Sequence, residues 1–330
     1  MKTILVPTDF SPEARKAFSY ALHMASTAQA EVVLFHAFHQ PIPVSSAYRL
    51  DETISMLEKE KREQLILWAA DAEEDQYKDF YWEFNAKQGA GAEKQATLTS
   101  GTSGFHTIQM PPAPDKSVRI TCVSKFGLAA DEINQAALTY QADLVLISSR
   151  GADAVEQALL GSTVAAVISY CQVPVLTLPQ QTEFKQLRSF VFAADLQHLA
   201  DNEALTYLQT LVKAFQANLH VVHFYQEKTL LPAQIQGMKG ISALDNRLSD
   251  VSYRVYFRQR TDIVAGIYEF VQQQQADLLV LVPQPHTFLE VLLSRSVTGK
   301  ITEQGFIPFL TLPDPTRLAA DKPASGSMLG

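Results

Sequence analysis

The sequence predicts an α/β fold made of two tandem halves, each with a parallel sheet covered by helices on both faces. Short apolar runs rich in β-branched residues alternate with amphipathic segments of about 10–16 residues, and this alternation is typical of parallel strands joined by right-handed helical crossovers. The chain also repeats itself, because residues 142–179 align without gaps with residues 276–313. The repeat predicts that the same fold occurs twice.

The repeat extends to the first strands of each half. ILVPTD, which ends at Asp9, matches FVFAAD, which ends at Asp195, and VLFHAF with His36 matches HVVHF with His223. These N-terminal matches lie 186 or 187 residues apart, whereas the C-terminal matches lie only 134 apart, so the first copy carries 52 additional residues. The predicted organisation is one unit at 1–180 with an insertion at about 85–116, a second unit at 186–313, and a disordered tail at 314–330.

The elements of the first copy follow from local patterns. The apolar run 4–7 predicts a buried strand. Ser11 offers a hydroxyl cap and Pro12 a preset φ for the helix that follows. The other predicted elements are strands at 32–38, 118–123, 144–147 and 173–178, and helices at 57–70, 129–140 and 155–170.

The insertion interrupts this alternation. Residues 85–116 are rich in Gly, Ala, Thr, Ser and Gln and include PPAP near their end. This composition predicts a mobile surface segment, with a lid or a docking segment as the alternative.

Composition and charge make some classes of binding partner less favourable for this protein than others. The 330 residues are 47% hydrophobic and carry a formal net charge of −8, which disfavours binding to the phosphate backbone of nucleic acid. Cys122 and Cys171 cannot form a disulfide framework, and they suggest a reducing, cytoplasmic setting. No apolar stretch approaches the roughly 20 residues that span a bilayer, so a membrane partner is not expected.

Two polar segments lie at predicted strand ends in the first copy. Ligands of open parallel sheets bind outside the carboxyl ends of strands, at the point where strand order reverses. Pro7-Thr8-Asp9 follows the first strand, and Ser148-Ser149-Arg150-Gly151 follows the fourth. Nine residues later, Gly161-Ser162-Thr163 begins a helix and offers an anion N–H groups, hydroxyls and the positive end of the helix dipole. GxGxxG after the first strand and GxxxxGK[ST] are both absent, which disfavours dinucleotide and P-loop sites.

The segments ILVPTDFS, VLFHAF and SSRG-x9-GST resemble the universal stress protein family, whose nucleotide signature is G-x2-G-x9-G-[ST]. Gly151 and Gly161 stand at the second and third glycines of that signature, and Ser162 at its hydroxyl. Ser148 replaces the first glycine. Its Cβ could crowd a backbone that the family brings close to nucleotide, or its small side chain could hydrogen-bond there. The resemblance covers both copies, so the chain looks like a tandem member.

The resemblance implies a five-stranded sheet of order 3-2-1-4-5, with ATP in the crevice between the first and fourth strands. Carried over by position, Asp9 would contact the ribose or adenine side next to Thr8, and a divalent cation, Mg²⁺, would bridge the phosphates. Arg150 could reach a phosphate or form a surface ion pair. The implied neighbours of base and ribose are Pro7, Ala37 and Ile147, and the implied phosphate contacts are Gly151, Gly161, Ser162 and Thr163.

The second copy departs from the signature. Val282, Pro285 and Arg295 stand at its three glycine positions, and only Ser296 keeps the hydroxyl. Pro285 lacks an N–H donor and Arg295 is bulky, so the second copy is not expected to bind nucleotide in the family's manner.

Two functions are compatible with these residues. The first is a regulatory stress-response protein that binds an adenine nucleotide in its first copy, with no catalytic residue and at most slow ATP hydrolysis. The alternative is a protein-interaction scaffold whose sites are both vestigial and whose insertion or second copy recruits a protein partner.

The last strands and the repeated histidines give two further expectations. Members of the family that the chain resembles often pair through their last strands. This resemblance and the repeat predict that VPVLTL at 173–178 and IPFLTL at 307–312 pair within one chain as a pseudo-dimer, and further association of two chains into a homodimer is left open. His36 and His223 occupy matching positions and are predicted to make structural hydrogen bonds rather than to bind metal.

Overall fold

The structure is a computed structural model. It describes residues 1–42, 49–70, 97–100, 106–110, 118–149, 160–180, 182, 184–197, 199, 203–225, 235, 238–282 and 307–313.

The described elements are strands and helices in alternation. The strands are β1 (Thr3–Pro7), β2 (Glu31–Phe38), β3 (Thr97–Ser100), β4 (His106–Met110), β5 (Ile120–Phe126), β6 (Leu144–Ser148), β7 (Val175–Leu178), β8 (Ser189–Ala193), β9 (Asn218–Tyr225), β10 (Tyr253–Gln259), β11 (Leu278–Leu281) and β12 (Phe309–Thr311). The helices are α1 (Pro12–Ala28), α2 (Leu50–Ala70), α3 (Ala129–Thr139), α4 (Ser162–Tyr170), α5 (Glu203–Phe215), α6 (Lys239–Arg247) and α7 (Ile263–Gln273).

One twelve-stranded sheet runs through the molecule in the order β10-β9-β8-β11-β12-β7-β6-β1-β2-β5-β4-β3. The run β7-β6-β1-β2-β5 is parallel throughout, and so is the run β10-β9-β8-β11-β12. Counted along the chain without β3 and β4, each run has the order 3-2-1-4-5. This is the order that the resemblance implied for each copy.

The two runs join edge to edge through β7 and β12. These strands are antiparallel, with Leu310 opposite Leu176, and the Thr311 hydroxyl donates to the Val175 carbonyl at 3.2 Å. Leu176 and Leu310 belong to one buried apolar cluster, so the core continues across the join. The structure therefore contains the pairing of last strands that the repeat predicts within one chain.

Helices cover both faces of the sheet, as predicted. One apolar cluster holds buried residues of α1, α2, α5 and α6, for example Ala17, Leu65, Leu208 and Leu244. The other holds buried residues of α3, α4 and α7, for example Ile133, Val164 and Ile267. The alternation of side chains along each strand supplies one apolar set to each cluster.

The insertion contributes strands to the sheet. β3 and β4 form an antiparallel hairpin, and β4 pairs antiparallel with β5, from His106 opposite Ser124 to Met110 opposite Ile120. No strand is predicted from sequence at 97–100 or 106–110. β4 forms because the edge of β5 supplies its backbone partners, and β3 forms because β4 supplies its partners, while the mobility of 85–116 stays a prediction. The remainder of 85–116, and the tail 314–330, lie outside the described residues.

Two helix boundaries also differ from prediction. α2 begins at Leu50 rather than at residue 57, and Asp51 and Glu52 in its first turn interact favourably with the helix dipole. α4 begins at Ser162 rather than at residue 155, because Gly161 is extended, with φ −66° and ψ 154°. The N-terminal boundary of α1 is confirmed, since the Ser11 hydroxyl accepts from Ala14 N at 3.1 Å and Pro12 follows it.

A repeated aspartate ties the first strand of each copy to the start of the fourth. Asp143 Oδ2 accepts from the backbone N–H groups of Lys2 and Thr3 at 2.5 and 3.0 Å. Asp277 Oδ2 accepts from those of Arg188 and Ser189 at 2.9 and 3.0 Å. Both carboxylates therefore satisfy donors that the sheet leaves unpaired where a strand begins.

We expect Asp143→Ala to lower the free energy of unfolding by about 1 kcal/mol, because the half-buried Thr3 N–H loses a charged acceptor. Urea denaturation followed by circular dichroism measures the change. Asp143→Asn keeps one acceptor oxygen and is the control, with a smaller expected loss. Equal losses in the two variants would contradict this role.

Candidate functional site

The chain turns sharply where β1 ends. The Thr8 N–H donates to the Phe35 carbonyl at 2.8 Å, and the Thr8 hydroxyl accepts from Phe10 N at 3.0 Å. Asp9 Oδ1 accepts from Ser11 N at 3.0 Å, and Phe10 has a left-handed φ of 66°. This turn leaves Asp9 exposed at the carboxyl edge of the sheet, whereas Pro7 and Thr8 are buried.

A buried histidine supports the turn from β2. His36 Nδ1 lies 2.8 Å from the Thr8 carbonyl, and its ring packs on Phe10 with 4.3 Å between ring centroids. The pKa of His36 is lowered, and burial is the largest cause. The hydrogen bond to the Thr8 carbonyl opposes burial, and weaker effects of Lys61 and Asp9 lower and raise the pKa respectively. The neutral ring therefore donates from Nδ1 to Thr8.

The second copy repeats this contact. His223 Nδ1 lies 3.2 Å from the Ala194 carbonyl, at the position that matches Thr8. The predicted structural hydrogen bonds of both histidines are confirmed.

The end of β6 is fixed on two sides. Ser148 and Ser149 are buried, and the Ser149 N–H donates to the Leu178 carbonyl at 2.8 Å. The Ser149 carbonyl accepts from Gly161 N at 2.9 Å. The chain thus leaves the sheet at Ser149 and returns beside it at Gly161, while Arg150 and Gly151 lie outside the described residues.

The N-terminus of α4 lies beside this strand end. Gly161 is the N-cap and makes no side-chain hydrogen bond, and the Ala165 N–H makes the first helical bond to the Gly161 carbonyl at 3.0 Å. Ser162 is exposed and Thr163 is half-buried. Unpaired N–H groups of a first helical turn, together with the helix dipole, attract anions.

Neither backbone strain nor packing explains the glycine at position 161. Its φ of −66° suits any residue, and a Cβ placed there would come no closer than 4.0 Å to the Ser149 carbonyl, its nearest neighbour among the described residues. A ligand that approaches the backbone closely would explain the missing side chain.

The apolar residues of the predicted site share one face of the sheet. Ile147 and the partly buried Ala37 pack in the apolar cluster that also holds Val164 of α4. Leu5 of β1 belongs to the same cluster, and because side chains alternate along a strand, Pro7 lies on the same face of the sheet as Leu5. β1 and β6 are neighbours, with Leu5 opposite Val145. After β1 the next strand of the sheet, β2, lies on one side of this pair, and after β6 the next strand, β7, lies on the other side. The strand order therefore reverses between β1 and β6.

The structure therefore brings together most of the residues that the sequence predicts for the site. They are Pro7, Thr8, Asp9, Ala37, Ile147, Ser148, Gly161, Ser162 and Thr163. Sequence reasoning did not single out Phe10, whose left-handed backbone makes the turn, or the Ser149 carbonyl, which holds Gly161. Only the two consecutive serines at a strand end hinted at the second of these.

Besides the histidine contact, the corresponding edge of the second copy keeps the aspartate of the first. Asp195 Oδ1 accepts from Gln197 N at 3.0 Å, as Asp9 does from Ser11 N. Val282 is half-buried and packs against the core. Pro285, Arg295 and Ser296 lie outside the described residues.

Two kinds of feature are absent from the described part of the chain. No three His, Cys, Asp or Glu residues there lie close enough to hold a metal ion. No helix there has the length and apolar character needed to cross a membrane.

Three solved structures resemble the chain over nearly its whole length. A universal stress protein from Archaeoglobus fulgidus matches with a TM-score of 0.58 and 18% identity, covering 94% of this chain and 97% of that one. A putative universal stress protein from Pseudomonas aeruginosa UCBPP-PA14 gives 0.51 and 13%, covering 97% and 96%. A functionally unknown protein from Pseudomonas aeruginosa PAO1 gives 0.50 and 13%, covering 97% and 95%. At these identities the likeness shows the fold alone.

Sequence comparison supplies the family. No curated protein is significantly similar to the chain. The model of the Universal stress protein family matches residues 1–179, which is more than half of the 330 residues. The chain therefore belongs to the universal stress protein family.

Proposed function

We propose that the N-terminal unit, residues 1–180, binds an adenine nucleotide at the carboxyl ends of β1 and β6 and that this binding is regulatory. The observation that carries the proposal is the N-terminus of α4. Gly161 is the N-cap of this helix and makes no side-chain hydrogen bond. Its N–H donates to the Ser149 carbonyl, which holds it at the end of β6, where the strand order reverses. An anionic ligand at this point would receive N–H donors and the helix dipole together.

The phosphates are assigned to the α4 end of the site. Gly161 lets them approach the backbone, and the hydroxyls of Ser162 and Thr163 add donors. Gly151 is assigned to the phosphates by the family signature alone. Arg150 is assigned to them by its place beside Gly151 in the sequence, with a surface ion pair as the alternative. Mg²⁺ is proposed to bridge the phosphate oxygens, with water completing its coordination.

The base and ribose are assigned to the β1 side. Pro7, Ala37 and Ile147 offer apolar surface on the face that α4 covers, which suits the flat face of adenine. Asp9 is exposed beside them, where its carboxylate suits a ribose hydroxyl. Thr8 and the strand-end Ser148 complete this part of the site.

We propose no fast chemistry. His36 uses Nδ1 for the Thr8 carbonyl and is buried behind Phe10, so it is poorly placed as a general base for water. Slow hydrolysis of bound ATP is the most that we expect. The unit at 186–313 is proposed not to bind nucleotide in the family's manner, because its sequence has no glycine at the three signature positions.

Denaturing the purified protein and separating the released small molecules by chromatography tests for bound nucleotide. Calorimetry with ATP and Mg²⁺ then tests the site. Gly161→Arg introduces the residue that the second copy has at the matching position, Arg295. We expect it to weaken ATP binding at least tenfold, because the arginine side chain would occupy the space of the phosphates.

Tyr170→Arg is the matched control, since it adds the same side chain to the exposed C-terminal end of α4. Its affinity should stay within twofold of the unmodified protein. Unchanged affinity in Gly161→Arg would refute the site. No released nucleotide and no binding heat would favour the scaffold with two vestigial sites.

A further inference from the structure

The outer edge strand of the second half, β10, differs from its counterpart in the first half. β5 and β10 are the third strands of their runs and have the same register, because Ile120 pairs with Val32 as Tyr253 pairs with the matching Leu219. β4 pairs with the outer side of β5. Among the described residues, β10 pairs with β9 alone.

An uncovered strand edge presents unpaired N–H and C=O groups to solvent. The first half shows what fits this kind of edge in this fold, namely an antiparallel strand of five residues, His106–Met110. Transferred through the shared register, the same pairing would cover residues 253–257 of β10. The edge is therefore long enough for a strand from another molecule.

The charge of β10 restricts what can bind there. Its sequence YRVYFRQ has two arginines and no acidic residue, in a protein whose net charge is −8. Arg254 and Arg258 are both exposed, and the Arg258 guanidinium lies over the rings of Tyr256 and Phe270, at 5.7 and 5.9 Å from their centroids. These contacts place Arg258 on the face that α7 covers, and strand alternation places Arg254 there too.

The other face of β10 is apolar. Tyr253, Val255 and Phe257 are partly buried and pack against the cluster beneath α5 and α6. A strand that adds to β10 would extend both faces, so its side chains should alternate. Acidic residues would lie beside Arg254 and Arg258, and apolar residues beside Val255 and Phe257.

A second copy of this chain is a poorer occupant. Antiparallel pairing of two β10 strands would bring four arginines and no carboxylate onto one short ladder, and like charges opposed across strands are destabilising. We propose that β10 is a docking edge for an extended segment of another protein in which acidic and apolar residues alternate. This inference does not depend on nucleotide binding in the first half.

Fluorescence anisotropy of the full chain with a labelled peptide of alternating glutamate and valine tests the proposal. We expect R254E/R258E to weaken binding at least tenfold. R49E/K59E makes the same change in charge at two exposed positions, one just before α2 and one in its middle, and should leave binding within twofold. If both double variants weakened binding equally, the loss would be due to the net charge of the protein and not to β10, and the proposal would be overturned.

The backbone contribution is tested separately. The same peptide, methylated on alternate backbone nitrogens so that one edge cannot donate, should lose its affinity. Hydrogen exchange should show protection of amides within 253–259 by the parent peptide. Absence of binding, undiminished binding of the methylated peptide, or absence of that protection would overturn the proposal. If the protein formed a concentration-dependent dimer that R254E/R258E abolished, the occupant of the edge would be β10 of a second copy, and the proposal would be wrong.

Discussion

Replacing Leu310 by alanine is expected to lower the free energy of unfolding by about 2–5 kcal/mol, the range for truncating a buried leucine. Leu310 is 1% exposed and lies opposite Leu176, which is also 1% exposed, where β12 meets β7. Removing three of its carbons leaves a cavity between the two halves, and the surrounding sheet can collapse only partly. Urea denaturation followed by circular dichroism measures the loss.

A double-mutant cycle tests whether this loss arises at the join. Leu176→Ala and the double variant complete the cycle, and we expect a coupling energy of about 0.5–3 kcal/mol, because contacting residues are not additive. Leu50→Ala, at a leucine that is 45% exposed in α2, should change stability by no more than about 0.5 kcal/mol. Additive effects of Leu310 and Leu176 would contradict the β7–β12 pairing.

The join could be predicted from sequence because the repeat carries the information. Two copies that both end in an apolar strand leave two similar edges, and pairing these edges within one chain satisfies both. The parallel strands were predictable for a related reason, since each is a short apolar run that both helix layers bury. Residues such as Leu5 and Leu146 accordingly have no exposed surface.

The hairpin β3–β4 was not predictable in the same way. TLTS and HTIQM contain β-branched residues, but Ala and Gly are the commonest residues in the segment around them. β4 finds its partners on β5, and β3 finds its partners on β4, so the structure that they adopt depends on an edge that local composition does not reveal. Local propensity is a weak guide where pairing is non-local.

In the candidate site, too, some features could be predicted from the sequence and others could not. Its strand ends and helix N-terminus follow from the alternation of elements and from Gly161, and the repeat explains why His36 and His223 make equivalent contacts. The bond from Gly161 N to the Ser149 carbonyl depends instead on the path of the chain between residues 12 apart. Side-chain patterns carry no signal for a contact between two backbone groups.

Gly240→Ala is expected to lower the free energy of unfolding by about 2 kcal/mol. A Cβ at this second residue of α6 would lie 2.6 Å from the Leu196 carbonyl oxygen and 2.7 Å from Leu196 Cα. Overpacking costs about 1–3 kcal/mol, with clashes against backbone at the upper end. The gain in helix propensity from glycine to alanine, about 1 kcal/mol, offsets only part of it.

Leu196 cannot easily move away from the added methyl group. Its side chain is fully buried, its N–H lies 3.2 Å from His223 Nδ1, and its carbonyl accepts from Gly240 N at 3.0 Å. Gly266→Ala in α7 is the matched control. There the added Cβ would meet Phe224 Cε1 and Arg260 Cγ at 2.8 and 2.9 Å, which are side-chain atoms that can rotate aside. Urea denaturation should therefore show a clear loss for Gly240→Ala and a change of less than about 1 kcal/mol for Gly266→Ala. Equal losses would mean that the close approach of α6 to Leu196 does not limit the residue at position 240.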